Sequence, residues 1–536
     1  MSTEKSQPFT TERIASSTGK GSGTQLLITQ YHDFWMDNAI ENLYCLVKNL
    51  CDADPSIASY ELTSHSLLVK VLDDKKFLQS FKQLLVSKRD SVLFTETIGK
   101  HISKKNVKLG YILPQYAKSS NGRNSVKEKI YIEDEMIGRL SAGLWPKAGE
   151  RICVLCGSNF QKRIDNLKQS VLPSVTRNAA LSGTLLKDDY FRSICPTCYM
   201  LGALEWVDDR IIYRSQQDGE SIALYPIISD LTVLYKEKQI AYQYLKVRAL
   251  DSNLHSRSKE GEDIKIYGPY SAIVFFLEAA IGSVSRRIGG IFDSEAEKMF
   301  ALNKWMCLRV PSGNVKNVKI EEIALPDRIL ETIGGTKSIP LTGAKVLKLY
   351  SGLFHYFRLN SDVRSGGMSL WKEQGELREK LSKAFINDDF HAFSGLFLRR
   401  KGVNVYLVTS KWPQLDYFLS AWQLNEAGIS SYELEKIKQA ANLVAELNLK
   451  SVAVFYNMER ARSISEFITA MQEATRKLIV RADDFASGNM RVHPTSLESF
   501  LDLITGSPAR WRIIRDTLLI YTSMYFAIKK RGEQRD

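Results

Sequence analysis

The chain has 536 residues, 44% of them hydrophobic and 25% charged, with 73 Lys plus Arg against 60 Asp plus Glu, a formal net charge of +13. That is ordinary globular composition over a length of about three or four domains, which excludes disordered and collagen-like classes. The most apolar run, Tyr270 to Val284, is 15 residues long and carries Glu278, whereas a bilayer span needs about 20 predominantly apolar residues, so no transmembrane helix is expected.

In chain order, MSTEKSQPFTTERIASSTGKGSG is polar and lacks the apolar core of a secretory signal, so residues 1–27 read as a flexible tail of a cytoplasmic protein. Ile28 to Leu50 places Phe34, Ala39, Leu43 and Leu50 near helical spacing, with Trp35 and Val47 widening the face, which predicts a buried helix. Leu67 to Val71 and Lys129 to Ile132 read as strands, and residues 28–145 as an N-terminal basic domain.

The surplus charge is concentrated. From Thr97 to Tyr131, the eight basic residues Lys100, Lys104, Lys105, Lys108, Lys118, Arg123, Lys127 and Lys129 face the single acid Glu128, a net of +7. The centre of this stretch, from Ala117 to Ser125, has turn formers and no hydrophobic period, so it reads as an exposed loop. Lys and Arg neutralise phosphates, and Asn and Arg reach base edges, so Lys104, Lys105, Lys108, Lys118, Asn121, Arg123, Asn124 and Lys127 are candidate nucleic-acid contacts. The bland alternative is a solvated basic loop. Arg399, Arg400 and Lys401 form a second candidate cluster, and Arg510, Arg512 and Arg515 a third.

After Trp145 to Gly149, a linker by composition, Cys153-Val154-Leu155-Cys156 is followed across 38 residues by Cys195-Pro196-Thr197-Cys198. Two residues between thiolates make a tight turn that aims both sulfurs at one ion, and two such knuckles complete the four-sulfur shell of structural zinc. Gly157 suits the turn. The gap exceeds the roughly 15 to 20 residues of a compact ribbon, so an insertion over Ile164 to Leu186 must loop out. Four thiolates also serve an iron–sulfur cluster, and a metal-free cluster is the remaining alternative. Four cysteine ligands leave no open position, so the metal would hold structure rather than activate water. Residues 146–206 are read as this zinc module; Cys45, Cys51 and Cys307 lie in apolar contexts and read as core thiols.

Residues 207–410 read as a mixed α/β middle domain, with strands at Arg210 to Tyr213 and Val405 to Val408 and a helix over Ser271 to Val284. Residues 411–536 read as a bundle of four or five helices. Leu434, Ile437, Ala441, Val444 and Leu447 make one apolar stripe; Ile464, Phe467, Met471, Ala474 and Leu478 make another, opened by a capping box at Ser463 to Glu466. Gly506-Ser507-Pro508 precedes a last helix through Trp511, Ile514, Leu518, Tyr521 and Tyr525. The fold class is therefore α+β multidomain, mixed at the N-terminus and middle with an embedded four-cysteine module, then all-α.

Catalytic motifs are missing. There is no complete phosphate-binding loop, only the fragment Gly335-Thr336-Lys337-Ser338, no Gly-x-Ser-x-Gly elbow and no His-Glu-x-x-His helix. His32-Asp33 has the dipeptide of metal-dependent phosphohydrolases without further partners, and falls inside the expected first helix. No enzymatic activity is expected; a zinc-containing nuclease or nucleic-acid-processing enzyme is the alternative.

RICVLCG (Arg151 to Gly157), SICPTCYMLGALEW (Ser193 to Trp206) and, more loosely, FWMDNAIENL (Phe34 to Leu43) carry a resemblance. With the basic N-terminal region and helical C-terminal part, the chain resembles the large subunit of a type I-B CRISPR Cascade complex, the group described by paired CxxC motifs. The resemblance implies a non-catalytic subunit of a prokaryotic antiviral surveillance complex. Such a subunit recognises the protospacer-adjacent motif in duplex target DNA and helps hold the displaced strand while guide RNA pairs. Its implied partners are the Cascade backbone and small subunits and a recruited helicase-nuclease, with no membrane, and the bundle would resemble the small subunit. Arg399, Arg400, Lys401 and the bundle arginines would then be contacts to the displaced strand.

Overall fold

A computed structural model describes residues 9–15, 22–88, 141–161, 167, 171–173, 193–205, 208, 213–217, 220–245, 254–257, 263–266, 268–287, 304–311, 319–326, 329, 348–361, 367–397, 403–426, 429–448, 453–479 and 495–533. The chain divides into two compact units, Met1–Ser256 with Asp293–Ala324, and Arg257–Phe292 with Leu325–Asp536. The division falls inside the span 207–410: strands Tyr213–Gln217 and Glu220–Pro226, helix Leu231–Leu245 and strands Lys304–Pro311 and Lys319–Ala324 lie in the first unit, whereas helices Pro269–Arg287, Gly367–Ile386 and Phe390–Gly395 lie in the second.

The first unit begins with β1 (Phe9–Ala15) and β2 (Ser22–Thr29), then α1 (Phe34–Ala53), β3 (Ala58–Leu62), β4 (Ser66–Val71) and α2 (Asp74–Lys88). The four strands form an antiparallel sheet in the order β1-β2-β4-β3. Its register sets Leu26 opposite Val69 and Ile28 opposite Leu67, so the period-2 apolar positions bury on one face. Within the expected tail, residues 9–15 and 22–27 are strand. Thr10, Thr11 and Ile14 are β-branched, and the polar pattern of 9–15 hid an edge strand that pairs with β2.

The first helix starts later than its apolar pattern alone predicts, because Ile28 belongs to β2. Asp33 is its N-cap, accepting from the backbone N–H of Trp35 and Met36 at 3.0 Å each, and His32 before it has φ 58°. The His-Asp dipeptide therefore does capping work at a helix start rather than lying inside the helix. Trp35, Ala39, Ile40, Leu43 and Val47 are fully buried, as are Asn38, Glu41 and Asn42 on the same helix. A helix buried on its polar side must find partners there. Asn38 donates to the carbonyl of Pro226, and Asn42 to that of Leu204.

After the cysteine knuckles with their two-residue strands β5 (Arg151–Ile152) and β6 (Asn159–Phe160), α3 (Pro196–Glu205) leads to β7 (Tyr213–Gln217), β8 (Glu220–Pro226) and α4 (Leu231–Leu245). Two short strands follow, β9 (Leu254–Arg257) and β10 (Asp263–Ile266), then α5 (Pro269–Arg287), β11 (Lys304–Pro311) and β12 (Lys319–Ala324). An antiparallel sheet in the order β12-β11-β8-β7 completes the first unit. Lys238 on α4 joins it internally: its ammonium lies 2.6 Å from Asp208, 3.0 Å from Glu41 of α1 and 3.9 Å from Glu205 of α3, all out of solvent. Neighbouring Glu237 is buried too, and burial alone pushes its carboxyl up to about 8.

In the second unit a π turn at Leu349–Leu353 and a 3-10 turn at Phe354–Tyr356 precede β13 (Phe357–Ser361), α6 (Gly367–Ile386), α7 (Phe390–Gly395) and β14 (Val403–Leu407). Then come α8 (Trp412–Glu426), α9 (Ser431–Asn448), α10 (Ala453–Arg460), α11 (Ile464–Ile479), α12 (Thr495–Gly506) and α13 (Trp511–Glu533). Six helices are thus described after residue 410, against the four or five expected, because α10 and α12 are short and their stripes merge with those of their neighbours. Leu434, Ile437, Ala441, Val444, Phe467, Met471, Ala474, Ile514, Leu518 and Tyr521 are buried as predicted. At the start of α11, Ser463 accepts from the N–H of Glu466 while the Glu466 carboxylate accepts from Arg462 instead of Ser463, a capping box shifted by one residue. Two carboxylates cap other segments from outside. Glu379 of α6 accepts from Tyr270 and Ser271 at the start of α5, and Glu278 of α5 accepts from Tyr350 and Ser351 at the π turn. These caps, with the Phe354, Phe385, Phe393, Phe418 and Trp422 ring cluster, tie α5 and α6 to the C-terminal helices.

Removing one partner from a buried ionic group strands the remaining charges, so Lys238→Met is expected to cost about 3–5 kcal/mol in chemical denaturation of the first unit. Lys48→Met, which removes the exposed pair with Asp52, is expected to cost less than about 1 kcal/mol. Glu237 gives a pH signature. Its raised carboxyl keeps its proton in the folded chain up to about 8, while the unfolded chain releases it in the ordinary carboxylate range. Stability should therefore fall as pH rises through that window, and Glu237→Gln should flatten the fall by stabilising at pH 8.5 and not at pH 4.

Candidate metal centre

The four cysteines of the two knuckles come together. Their sulfurs all lie within 4.8 Å of one another, and Cys153, Cys156, Cys195 and Cys198 are each buried. The Cys153 and Cys198 sulfurs are 3.6 Å apart, and those of Cys156 and Cys195 are 3.7 Å apart. Metal–sulfur bonds of about 2.3 Å at tetrahedral angles require sulfur separations of about 3.8 Å, so the donor set fits a single four-coordinate ion. All four are free thiols, without a disulfide.

Local sequence explains the aim of each sulfur. In the first knuckle Gly157 adopts φ +72°, its N–H donates to the carbonyl of Cys153 at 2.8 Å, and the Cys153 N–H donates to the carbonyl of Ser158 at 2.9 Å. Only a residue tolerant of left-handed backbone closes this turn without strain. In the second knuckle Pro196 takes the first position of α3, where its missing N–H costs nothing. The Cys195 sulfur accepts from the Cys198 N–H at 3.4 Å, so one ligand sulfur also caps the helix. The Val154 N–H donates to the carbonyl of Ser193, joining the two knuckles across the insertion. Most of that insertion, Ile164 to Leu186, lies outside the described residues.

The surroundings belong to α1. The Tyr31 hydroxyl, just before that helix, shares a hydrogen bond with the Cys198 sulfur at 3.2 Å, and the Trp35 indole N–H donates to the Gly202 carbonyl at 3.1 Å. Gly202 is needed for a close approach: a Cβ there would sit 2.1 Å from the Val171 carbonyl oxygen. The cysteine module is therefore packed into the first unit and is not a separate bead. Burial raises the Cys198 thiol, and hydrogen bonding to Cys153 adds to it, while hydrogen bonds from the other thiols, Cys156 foremost, hold Cys153 low. The cluster shares its protons unevenly, and a bound dication would replace those that remain.

The nucleic-acid candidates are not brought together here. Lys104, Lys105, Lys108, Lys118, Asn121, Arg123, Asn124 and Lys127 lie outside the described residues, as do Arg399, Arg400 and Lys401. Of the bundle arginines, Arg510 pairs with Glu433 at 2.9 Å and Arg515 is buried against Asp516, so two of the three hold the fold; Arg512 is exposed. Tyr31 and the polar residues Asn38, Glu41 and Asn42, which share a stripe with Cys45, escaped the sequence reading. The stripe's i, i+3, i+4, i+7 spacing is a legible second face, whereas nothing local marks Tyr31 as a neighbour of sulfur. Cys45, Cys51 and Cys307 are buried core thiols. No protein-family model and no curated protein matches the chain.

Outer hydrogen bonds to metal ligands are worth about 10–100-fold in metal affinity. Tyr31→Phe is expected to leave the fold intact and to speed metal transfer to a competing chelator by about tenfold, read by absorbance of the chelator complex.

Proposed function

We propose that the chain is a non-catalytic DNA-recognition subunit of a CRISPR Cascade complex with one structural zinc ion held by Cys153, Cys156, Cys195 and Cys198. The observation that carries the reading is the closed four-sulfur cluster locked onto α1, since its three flanking segments are the same RICVLCG, SICPTCYMLGALEW and FWMDNAIENL stretches that resemble the paired-CxxC large subunits. Zinc suits four thiolates in a tetrahedral shell and needs no redox partner. With all ligand positions filled by protein, it supplies a cross-link and no activated water.

On this reading the basic stretch from Thr97 to Tyr131 docks on duplex phosphates, and Lys118 to Arg123 with Asn121 and Asn124 probes the protospacer-adjacent motif. Base pairing with guide RNA supplies sequence specificity, and cutting is left to a recruited helicase-nuclease. Backbone and small subunits hold the chain in register with the guide, in the cytoplasm of a prokaryote. The division of labour is consistent with a surplus of +7 concentrated between Thr97 and Tyr131.

The test is duplex binding by the assembled complex across a salt series. Replacing Lys118, Asn121 and Arg123 together by Ala should weaken binding by about tenfold or more and make the salt dependence shallower by about two phosphate contacts. Unchanged binding at physiological salt would remove the loop assignment. Metal-dependent DNA cutting by the purified chain would instead favour the zinc-containing nuclease.

A further inference from the structure

A cavity of about 960 Å³ lies within the second unit, between the start of α7, the C-terminal turn of α10 with Ala461 and Arg462, and the first turns of α13. The duplex docking proposed for the basic stretch does not use it, and it stands whether or not the chain belongs to Cascade. Its size is at the upper end of small-molecule sites, which run to about 1,000 Å³, so it admits a nucleotide-sized molecule and not only an inorganic ion.

The lining carries four arginines and four carboxylates, and availability rather than formal charge sets its preference. On the floor, Arg515 donates through Nε to Asp516 at 2.8 Å and through a terminal nitrogen to the Ala461 carbonyl at 2.7 Å. Asp388 accepts from the Trp422 indole at 2.8 Å, and Asp389 accepts from the Ala392 N–H at 2.8 Å. Three of the four acids are thus committed to the protein. At the mouth Arg460, Arg462 and Arg512 are exposed, and among the described residues none of the three has an ion-pair partner. The Arg460 and Arg512 guanidiniums rest against the rings of Tyr456 and Trp511 at 5.8 and 5.7 Å, which limits their freedom before a ligand arrives. An entering anion therefore meets three available planar forks against the one uncommitted acid, Glu459. Guanidinium forks match phosphate oxygens in pairs.

We propose that this cavity binds a phosphate ester of nucleotide size, gripped by Arg460, Arg462 and Arg512 at its mouth. His391 adds a proton-dependent contact. Its Nδ1 lies 3.0 Å from Asp516 Oδ2 and 3.2 Å from the Arg515 guanidinium, and one ring nitrogen cannot serve both. Protonated, it donates to Asp516 and adds a positive charge to the wall; neutral, with Nδ1 bare, it accepts from Arg515. The Asp516 hydrogen bond favours the proton, while partial burial and Arg515 oppose it. The other charged residues lining the cavity are Asp388 and Asp389, just before His391 on its own segment, and Glu459, Arg460, Arg462 and Arg512 on the α10 and α13 sides.

Calorimetric titration of the purified full chain with inorganic pyrophosphate, a nucleoside diphosphate and a short single-stranded oligonucleotide tests the site. Binding of the diphosphates points to a free nucleotide, and binding of the oligonucleotide alone points to phosphates of a strand. In either case the double substitution Arg462→Ala with Arg512→Ala should weaken binding by about tenfold or more. Arg476→Ala, an exposed arginine of α11 away from the cavity, should not. Sulfate, whose charge is fixed over the range, should bind more tightly at pH 6 than at pH 8, and His391→Gln should abolish that difference. No binding of any probe, or binding unchanged in the double variant, would overturn the proposal; a pH-independent sulfate affinity in the unmodified chain would remove His391 from it.

Discussion

Four sulfurs buried within 4.8 Å of one another are the constraint on which the first unit depends. As thiolates they would concentrate negative charge out of solvent; as thiols they would be weakly bonded groups in a packed core. A dication resolves both conditions. The apparent free energy of filling a structural zinc site is about 10–16 kcal/mol, comparable to the whole net stability of about 5–15 kcal/mol that a domain has. On the proposed reading the ion does not decorate a finished fold. It closes a loop of 38 intervening residues and sets α3 against α1.

The Lys238 cluster works differently. One ammonium among three buried carboxylates is a poor source of net stability, since desolvation consumes much of what attraction supplies. What it fixes is arrangement: Glu41, Glu205 and Asp208 come from α1, α3 and the segment just after α3, and only one packing brings all three to α4. The cysteine cluster and the ion-pair cluster sit at opposite ends of α3, with Cys195 and Cys198 at its start and Glu205 at its end. Between them Trp35 and Asn42 of α1 bond to the α3 carbonyls of Gly202 and Leu204. A ten-residue helix is thereby held at its beginning, middle and end.

The sequence revealed what repeats or is chemically distinctive. The CxxC pairs, the glycine in the first turn, the apolar stripes of α9 and α11 and the start of α13 follow from spacing, and each is found where spacing places it. Boundaries set by competition were less legible. Ile28 fits the helical stripe of α1 and the alternation of β2 equally well; only sheet pairing with Leu67 decides. The strand at Phe9–Ala15 is polar, and its evidence is a partner strand. Residues 257–292 carry no mark that they pack with the C-terminal helices, because the caps from Glu278 and Glu379 join residues about 70 to 110 positions apart. The bundle arginines look alike in sequence, yet Arg510 and Arg515 are internally paired, whereas Arg512 has no ion-pair partner among the described residues.

The central claim is that the four cysteines hold one zinc ion in an all-sulfur shell. X-ray absorption at the zinc edge of the purified full chain addresses it most directly. The account predicts one zinc per chain with four sulfur scatterers at about 2.3 Å and no nitrogen or oxygen neighbour. A shell containing nitrogen or oxygen, iron in place of zinc, or a folded chain without metal would contradict it.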